Sequence, residues 1–335
     1  VTQGVLALSL GDPAGIGPEI IAKAWTTLRH SGPAFMVIGD ADLLAAQGVA
    51  VQRVGGPKDA LAAFSIALPV FDQPLSHSVT AGVADKAHAP AIIHWIETGV
   101  AMTIKGEVSG LVTAPISKAP LYEAGFKFPG HTEFLASLTT EVPMDGERGP
   151  VMMLTSGDLR AVLVTIHVPI AKVASALTHE AIIHTAMVTA EAMTRDFGIA
   201  TPRLVLAGLN PHAGEGGTIG DEEVRILAPA VAALQAQGIN CVGPKPADTL
   251  FHDEARKTYD AVICLYHDQA LIPVKMLDFW GGVNVSLGLP IVRTSPDHGT
   301  GFDIAGKGIA RADSLIAALR MADQIANSRA VQANL

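Results

Sequence analysis

The chain has 335 residues with 23 lysines and arginines against 32 aspartates and glutamates, a formal net charge of −9, and 49% hydrophobic residues. No uninterrupted apolar run reaches the ~18–20 residues of a membrane span. No lysine- or arginine-rich tract offers the concentrated basic surface that phosphate-backbone binding needs, so neither a membrane protein nor a nucleic-acid binder is expected. The length suits two domains around a cleft or one large α/β unit. The opening VTQGVLALSLGD lacks the charged start and cleavage site of a secretory signal, and Cys241 and Cys264 are isolated in apolar surroundings. A cytoplasmic protein with two buried thiols is expected.

Val5 to Leu10 has the apolar character of a buried strand, and after GDPAGIGPE a helix begins near Pro18, where proline suits the first turn. The glycines at 11, 15 and 17 leave two readings open: a turn whose backbone N–H groups bind an anion, or a strand-to-helix turn only. The spacing is not G-x-G-x-x-G and no G-K-[ST] follows, so neither nucleotide fingerprint applies. Phe35 to Gly39 is a second strand, Asp40 to Gln47 a short helix and Ile66 to Val70 a third strand. A helix over about 81–105, kinked or begun anew at Pro90, buries Ile92, Ile93, Ile96 and Val100. Leu111 and Val112 form a strand that runs into TAPISK, placing Thr113, Ser117 and Lys118 at another crevice edge, with a plain solvated helix-start lysine as the other reading of Lys118. In FKFPGHTEFLASL a Pro-Gly turn precedes a helix start, with Thr132 as a favoured N-cap and His131 beside free N–H groups.

Val151 to Leu154 and Leu159 to Thr165 pair as a hairpin around Ser156-Gly157-Asp158, and Thr178 to Phe197 is a long helix. RLVLAGLNPHAGEGGTIG, residues 203–220, carries an apolar strand to an Asn-Pro-His corner and then a Gly-rich loop. A helix over about 220–237 follows, with Asp221, Glu222 and Glu223 in its first turn. Asp248 lies in PADTLF before a short helix. The run AVICLYH ends at His267, with Lys275 about two turns further on. Asn284 lies between Gly281 and Gly288, Ile291 to Arg293 is a short strand, and DHGTGFDIAGKG is a Gly-rich loop before the final helix. This alternation of strand and helix indicates a largely parallel α/β sheet.

His167, His212 and His267 each follow an apolar run, the place where an open α/β sheet presents ligand sites. Three imidazoles with open positions define a catalytic metal site. The spacing contains no H-E-x-x-H, so three separately hydrogen-bonded histidines remain the other reading. Lys275, Arg293 and the His131-Thr132 helix start have the character to meet a phosphorylated or carboxylated small molecule.

Taken as a set, GDPAGIGPE, TAPISK, GHTEF, LNPHAGEGG, PADTLF, YHDQ, GVNVSLGLP and RTSPDHGT resemble the 4-hydroxythreonine-4-phosphate dehydrogenase family of pyridoxal phosphate biosynthesis, from residue 11 to about residue 310. The resemblance implies an α/β fold like that of isocitrate and isopropylmalate dehydrogenases, with two α/β/α subdomains flanking a cleft and no Rossmann fold. Residues 1–130 with 275–335 would form the cofactor side, and 131–274 the metal and dimerisation side. It implies a homodimer with the active site at the subunit interface. His167, His212 and His267 match the family's ligands to a divalent metal, whether zinc, magnesium or cobalt. His131, Thr132, Lys275, Asn284 and Arg293 match its substrate-binding positions. The loop holding His298, Gly299, Thr300, Asp303 and Gly306 resembles the cofactor loop of the β-decarboxylating dehydrogenases, and Asp303 favours NAD over NADP. Gly301-Phe302 departs from the Ala-Pro usual there. Lys275, Asp248 and a metal-bound water are the candidate proton acceptors.

The implied reaction is NAD-dependent oxidation of 4-phosphonooxy-L-threonine to 2-amino-3-oxo-4-phosphonooxybutanoate, which decarboxylates to 3-amino-2-oxopropyl phosphate. Three other readings stand beside it, the weakest a non-catalytic metal- or anion-binding protein, since the chain offers both hydride-acceptor and metal features. One is a paralogue acting on 4-phospho-D-threonate, 4-phospho-erythronate or a dihydrodiol carboxylate. Another is a metal-dependent phosphohydrolase, against which the HGTGFDIAG loop argues.

Overall fold

A computed structural model describes residues 4–332. The chain divides into two compact units, Val1–Pro143 with Leu289–Ala330, and Met144–Gly288 with Val331–Leu335. The helix His131–Leu138 therefore groups with the first unit, held by mutual packing of Phe126, Phe128 and Phe134 at ring separations of 5.1–5.4 Å. Lys275 and Asn284 group with the second.

The strands in chain order are β1 (Leu6–Ser9), β2 (Phe35–Gly39), β3 (Val51–Arg53), β4 (Leu68–Asp72), β5 (Leu111–Thr113), β6 (Val151–Ser156), β7 (Leu159–Leu163), β8 (Leu204–Ala207), β9 (Cys241–Lys245), β10 (Ala261–Cys264), β11 (Val283–Leu287) and β12 (Arg293–Pro296). In the first unit the order β3-β4-β2-β1-β5-β12 is parallel throughout. In the second the order is β11-β6-β7-β10-β8-β9, antiparallel on both sides of β6 and parallel from β7 to β9. The largely parallel α/β architecture expected from the alternation is observed. β1, β2 and β10 are buried at every position, as strands covered on both faces require, and their apolar runs are continuous for that reason.

Several local expectations change. β3 and β9 carry no apolar run because each ends its row of strands, where one edge needs no buried partner, and Pro244 is tolerated within β9 on the same ground. The helix expected from about residue 81 starts at Ala89, because Pro90 has no N–H to give and suits the first turn. His131 opens its helix with Gly130 at the N-cap and no side-chain cap, so Thr132 lies in the first turn and is not the cap. The GDPAGIGPE turn is buried, and the N–H groups of residues 14–16 are spent within the protein. Ala14 N donates to Asp12 Oδ1 at 3.0 Å, Gly15 N to Asp12 O at 3.1 Å and Ile16 N to Thr300 O at 2.8 Å. It is a structural turn and not an anion cradle.

The second unit's core joins Leu154, Leu163, Val205, Val262 and Cys264 with Tyr259, whose hydroxyl donates to Leu250 O at 2.8 Å. No helix among the described residues is long and apolar enough to cross a membrane. Both cysteines are free and buried, and burial pushes the Cys241 thiol up to about 12 and raises that of Cys264 as well. A thiol reagent at about pH 8 is expected to label neither in the native protein and both after unfolding, since only thiolates react. Rapid labelling of either in the native state would contradict this packing.

Candidate active site

β7, β10 and β8 are consecutive neighbours, with Leu163 paired to Cys264 and Leu206 to Ile263. All three run the same way, so the segments leaving them emerge on one edge. His167 lies four residues beyond β7, His267 opens the helix His267–Leu277 just beyond β10, and His212 follows β8. Two long-range links lock these exits together. Thr165 Oγ1 donates to Leu265 O at 2.6 Å, joining the β7 and β10 exits. Buried Gln269 accepts from Leu265 N at 2.7 Å and donates to Gly208 O at 2.8 Å, joining the β10 and β8 exits. Neither residue was singled out in the sequence, because partners 100 and 61 positions apart leave no local spacing signal.

The rings of His167 and His267 lie 5.9 Å apart, centre to centre. Imidazoles sharing one ion through nitrogens at about 2.0–2.1 Å have centres no more than about 6.4 Å apart, so this pair is within reach of a common metal. Asp268 Oδ1 sits 2.6 Å from His267 Nδ1. A carboxylate there fixes the tautomer and leaves Nε2 as the donor atom, the usual support of a metal-binding histidine. His212 is not gathered into the pair: among the described residues no group of three or more His, Cys, Asp or Glu side chains is placed to hold a metal.

His212 stands in an unusual backbone. His212, Ala213, Gly214, Glu215 and Gly216 have φ of 53°, 52°, 78°, 44° and 65°, one turn of left-handed helix. Left-handed residues with a Cβ cost about 1–2 kcal/mol each, so the turn persists only if its surroundings enforce it. The turn Ala247–Thr249, which carries the exposed Asp248, lies against this segment, so the candidate base stands on the same edge as His212. Lys275 shares the helix of His267, with Nζ 5.2 Å from the Phe279 ring centre. Asn284 on β11 donates from Nδ2 to Met152 Sδ at 3.3 Å, and its buried Oδ1 has no hydrogen-bond partner.

In the first unit a second cluster forms. Arg293 is 2% exposed at the start of β12, donating to Thr113 Oγ1 at 2.7 Å. Burial lowers its pKa to about 10, with Glu133 opposing, so it stays cationic at neutral pH. His131 is partly exposed as a residue, yet its Nε2 is enclosed without a hydrogen-bond partner. Desolvation, then the positive charges of Arg293 and Lys118, hold it well below the ordinary 6.5. Lys118, readable either as a crevice-edge group or as a solvated lysine, thus belongs to this electropositive group at a helix start. Thr132 is in the same first turn. Two cations, a helix N-terminus and an unpartnered ring nitrogen suit an anionic group such as phosphate.

The loop of residues 298–306 rests against the buried first turn, where Ile16 N donates to Thr300 O. His298 Nδ1 lies 3.0 Å from Gly299 O, and its enclosed Nε2 has no partner. Gly299, Asp303 and Gly306 are exposed, leaving backbone and a carboxylate open to a ligand. At the departure from Ala-Pro, Gly301 takes φ 54°, a conformation that the Cβ of alanine would strain.

Comparison with known proteins bears directly on this arrangement. Residues 32–322 match the family model described as pyridoxal phosphate biosynthetic protein PdxA. A protein of Caulobacter vibrioides named 4-hydroxythreonine-4-phosphate dehydrogenase is 66% identical over 333 residues, covering 99% of this chain and all of the relative. The crystal structure of 4-hydroxythreonine-4-phosphate dehydrogenase from Klebsiella pneumoniae is 37% identical with a TM-score of 0.86, over 97% of this chain and 99% of that one. A terephthalate 1,2-cis-dihydrodiol dehydrogenase from Burkholderia xenovorans is 28% identical with a TM-score of 0.63, over 96% of this chain and 98% of that one. With a family model matched over most of its length and a full-length relative at this identity, the chain belongs to the PdxA family of pyridoxal phosphate biosynthetic proteins.

Proposed function

We propose that this chain is a metal-dependent dehydrogenase that oxidises 4-phosphonooxy-L-threonine with a nicotinamide cofactor, NAD in preference to NADP. The product 2-amino-3-oxo-4-phosphonooxybutanoate then loses carbon dioxide to give 3-amino-2-oxopropyl phosphate, a step towards pyridoxine 5′-phosphate. The observation that carries the reading is the issue of His167, His267 and His212 from three adjacent parallel strand ends. Membership of the PdxA family, with a full-length relative named 4-hydroxythreonine-4-phosphate dehydrogenase, supports the substrate.

We assign His167, His212 and His267 as the metal-binding set. When bound, a divalent cation such as zinc, magnesium or cobalt supplies Lewis acidity towards the substrate oxygens, and the nicotinamide supplies a hydride acceptor. Asp268 orients His267 for this role. Arg293, Lys118, His131 and Thr132 bind the anionic end of the substrate, and Asn284 offers Oδ1 as an acceptor to a donor group such as the amine. Lys275 and Asp248 are the two side chains able to take the hydroxyl proton. His298, Gly299, Thr300, Asp303 and Gly306 hold the cofactor, so the first unit is the cofactor side and the second the metal side.

A homodimer with the active site at the subunit interface fits the exposed apolar residues beside these groups. Ile272, Met276, Phe279 and Trp280 are 65%, 74%, 60% and 49% exposed on and just after the helix of His267, and Ile219 and Val224 are 42% and 57% exposed beside the His212 turn. Such a concentration of exposed apolar surface marks an association surface. A second copy placed there completes the histidine set that one chain leaves ungathered.

Following NADH absorbance with 4-phosphonooxy-L-threonine, 4-phospho-D-threonate and 4-phospho-erythronate is expected to favour the amino acid, with turnover lost on metal chelation and restored by added cation. Phosphate release without NADH would overturn the assignment in favour of a hydrolase. Proton linkage gives a second expectation. His131 has its pKa depressed in the folded state, so its contribution to stability is full above about 6.5 and falls as the pH drops towards the folded-state value. His131→Gln should flatten the loss of unfolding free energy below that pH in urea titrations, and an unchanged slope would contradict the enclosure of the ring.

A further inference from the structure

The left-handed turn that carries His212 is held from one side by a carboxylate with no role so far. Glu223 is 3% exposed. Its Oε1 accepts from Leu209 N at 2.8 Å and Asn210 N at 2.7 Å, the two peptide groups immediately before the Pro211-His212 corner. Its Oε2 accepts from Asn210 Nδ2 at 2.8 Å, and Glu222 Oε2 accepts from the same amide nitrogen at 2.7 Å. A buried carboxylate that takes three N–H donors is a strong and directional fixture. The backbone closes on it without spare room. A Cβ at Gly214 would lie 2.8 Å from Glu223 Oε2, and one at Gly220 would lie 2.4 Å from Asn210 Nδ2, both at positive φ. The turn is then closed by Ala213 N donating to Asn210 O at 3.0 Å and Ile219 N to Gly214 O at 3.1 Å.

We propose that Glu223, acting with Asn210, is a positioning residue for His212: the carboxylate clasps the chain before the corner and so enforces the left-handed turn that presents the imidazole. This rests on the assignment of His212 as a metal ligand. A residue that only filled the core would touch the apolar interior. Glu223 instead spends its oxygens on the two peptides and one side chain that set the direction of the histidine. Its neighbour Glu222 shares the Asn210 amide, so the side-chain half of the clasp has two acceptors while the backbone half depends on Glu223 alone.

Glu223→Gln keeps an oxygen for the two peptide donors but sets an NH2 against the Asn210 NH2. Asn210→Ala removes the same half of the clasp from the other side. Both variants, and the pair combined, would be titrated with Co2+ on the full-length protein while amide hydrogen exchange is read over residues 209–213. Each single variant is expected to weaken Co2+ binding by about 10–100-fold, the usual effect of losing the support of a ligand, with a cooperative unfolding transition retained. The double variant should be little worse than Asn210→Ala alone, since that variant already removes the Glu223–Asn210 interaction that Glu223→Gln breaks. Exchange over 209–213 should quicken in all three, including in the absence of metal. Parent-like Co2+ affinity in a folded single variant, or a fully additive double variant, would overturn the proposal. Should Glu223→Gln fail to fold, Asn210→Ala carries the same test. A parent protein that binds no Co2+ would remove the metal assignment instead, and the exchange of residues 209–213 would still decide whether the clasp exists, an unchanged rate overturning it.

Discussion

The hydrogen-bonded register of β7, β10 and β8 is what the chemistry of the second unit depends on. Leu163 opposite Cys264, and Leu206 opposite Ile263, bring three parallel strands to an end at one level. Residues a few places further along three distant stretches of chain are therefore delivered to one edge. A slip of one residue would turn the buried side chains of a strand to its other face and move its histidine with them. Apolar side chains at every position of β10 make that slip costly. Thr165 and Gln269 then tie the loose ends just past the register, where backbone pairing has stopped and loops would otherwise diverge.

The two units handle polarity in different ways. The first buries a cation: Arg293 is enclosed, donates to Thr113, and adds its charge to the desolvation that chiefly holds His131 below its ordinary range. Such a group is expensive to desolvate and gains most from an anion brought to it. The second keeps its imidazoles towards solvent and instead buries the groups that aim them, Gln269 and Glu223. Strain is concentrated at His212, where three residues with a Cβ adopt positive φ. A flexible loop would relax from that conformation, so the hydrogen bonds of Glu223 and the missing Cβ atoms of Gly214 and Gly220 have to oppose it.

Much of this was legible in the sequence, and the reason differs by element. Strands covered on both faces are largely apolar, so β1, β2, β8 and β10 announce themselves, β7 does so despite Arg160, and the histidines just past β7, β8 and β10 are readable with them. β3 and β9 did not, since end strands need no such run. The Gly-rich stretch after His212 signalled a turn, but nothing local distinguished a left-handed helical turn from an ordinary loop. Lys118 reads as a crevice-edge group or a plain solvated lysine with nothing local to decide, because its neighbours His131 and Arg293 are brought to it by folding and not by sequence proximity. Gln269 and Glu223 were invisible for the same reason: a carboxylate in the first turn of a helix is what the helix dipole favours, and that explanation hid its hydrogen bonds to the preceding loop. The family motifs carried the functional reading beyond what periodicity could supply.

The central claim is that His167, His212 and His267 form one metal site. X-ray absorption at the metal edge of the zinc-loaded protein counts its imidazole ligands directly. The account predicts three imidazole nitrogens at about 2.0–2.1 Å in the parent protein, falling to two in His212→Ala. An imidazole shell unchanged by that substitution would contradict it.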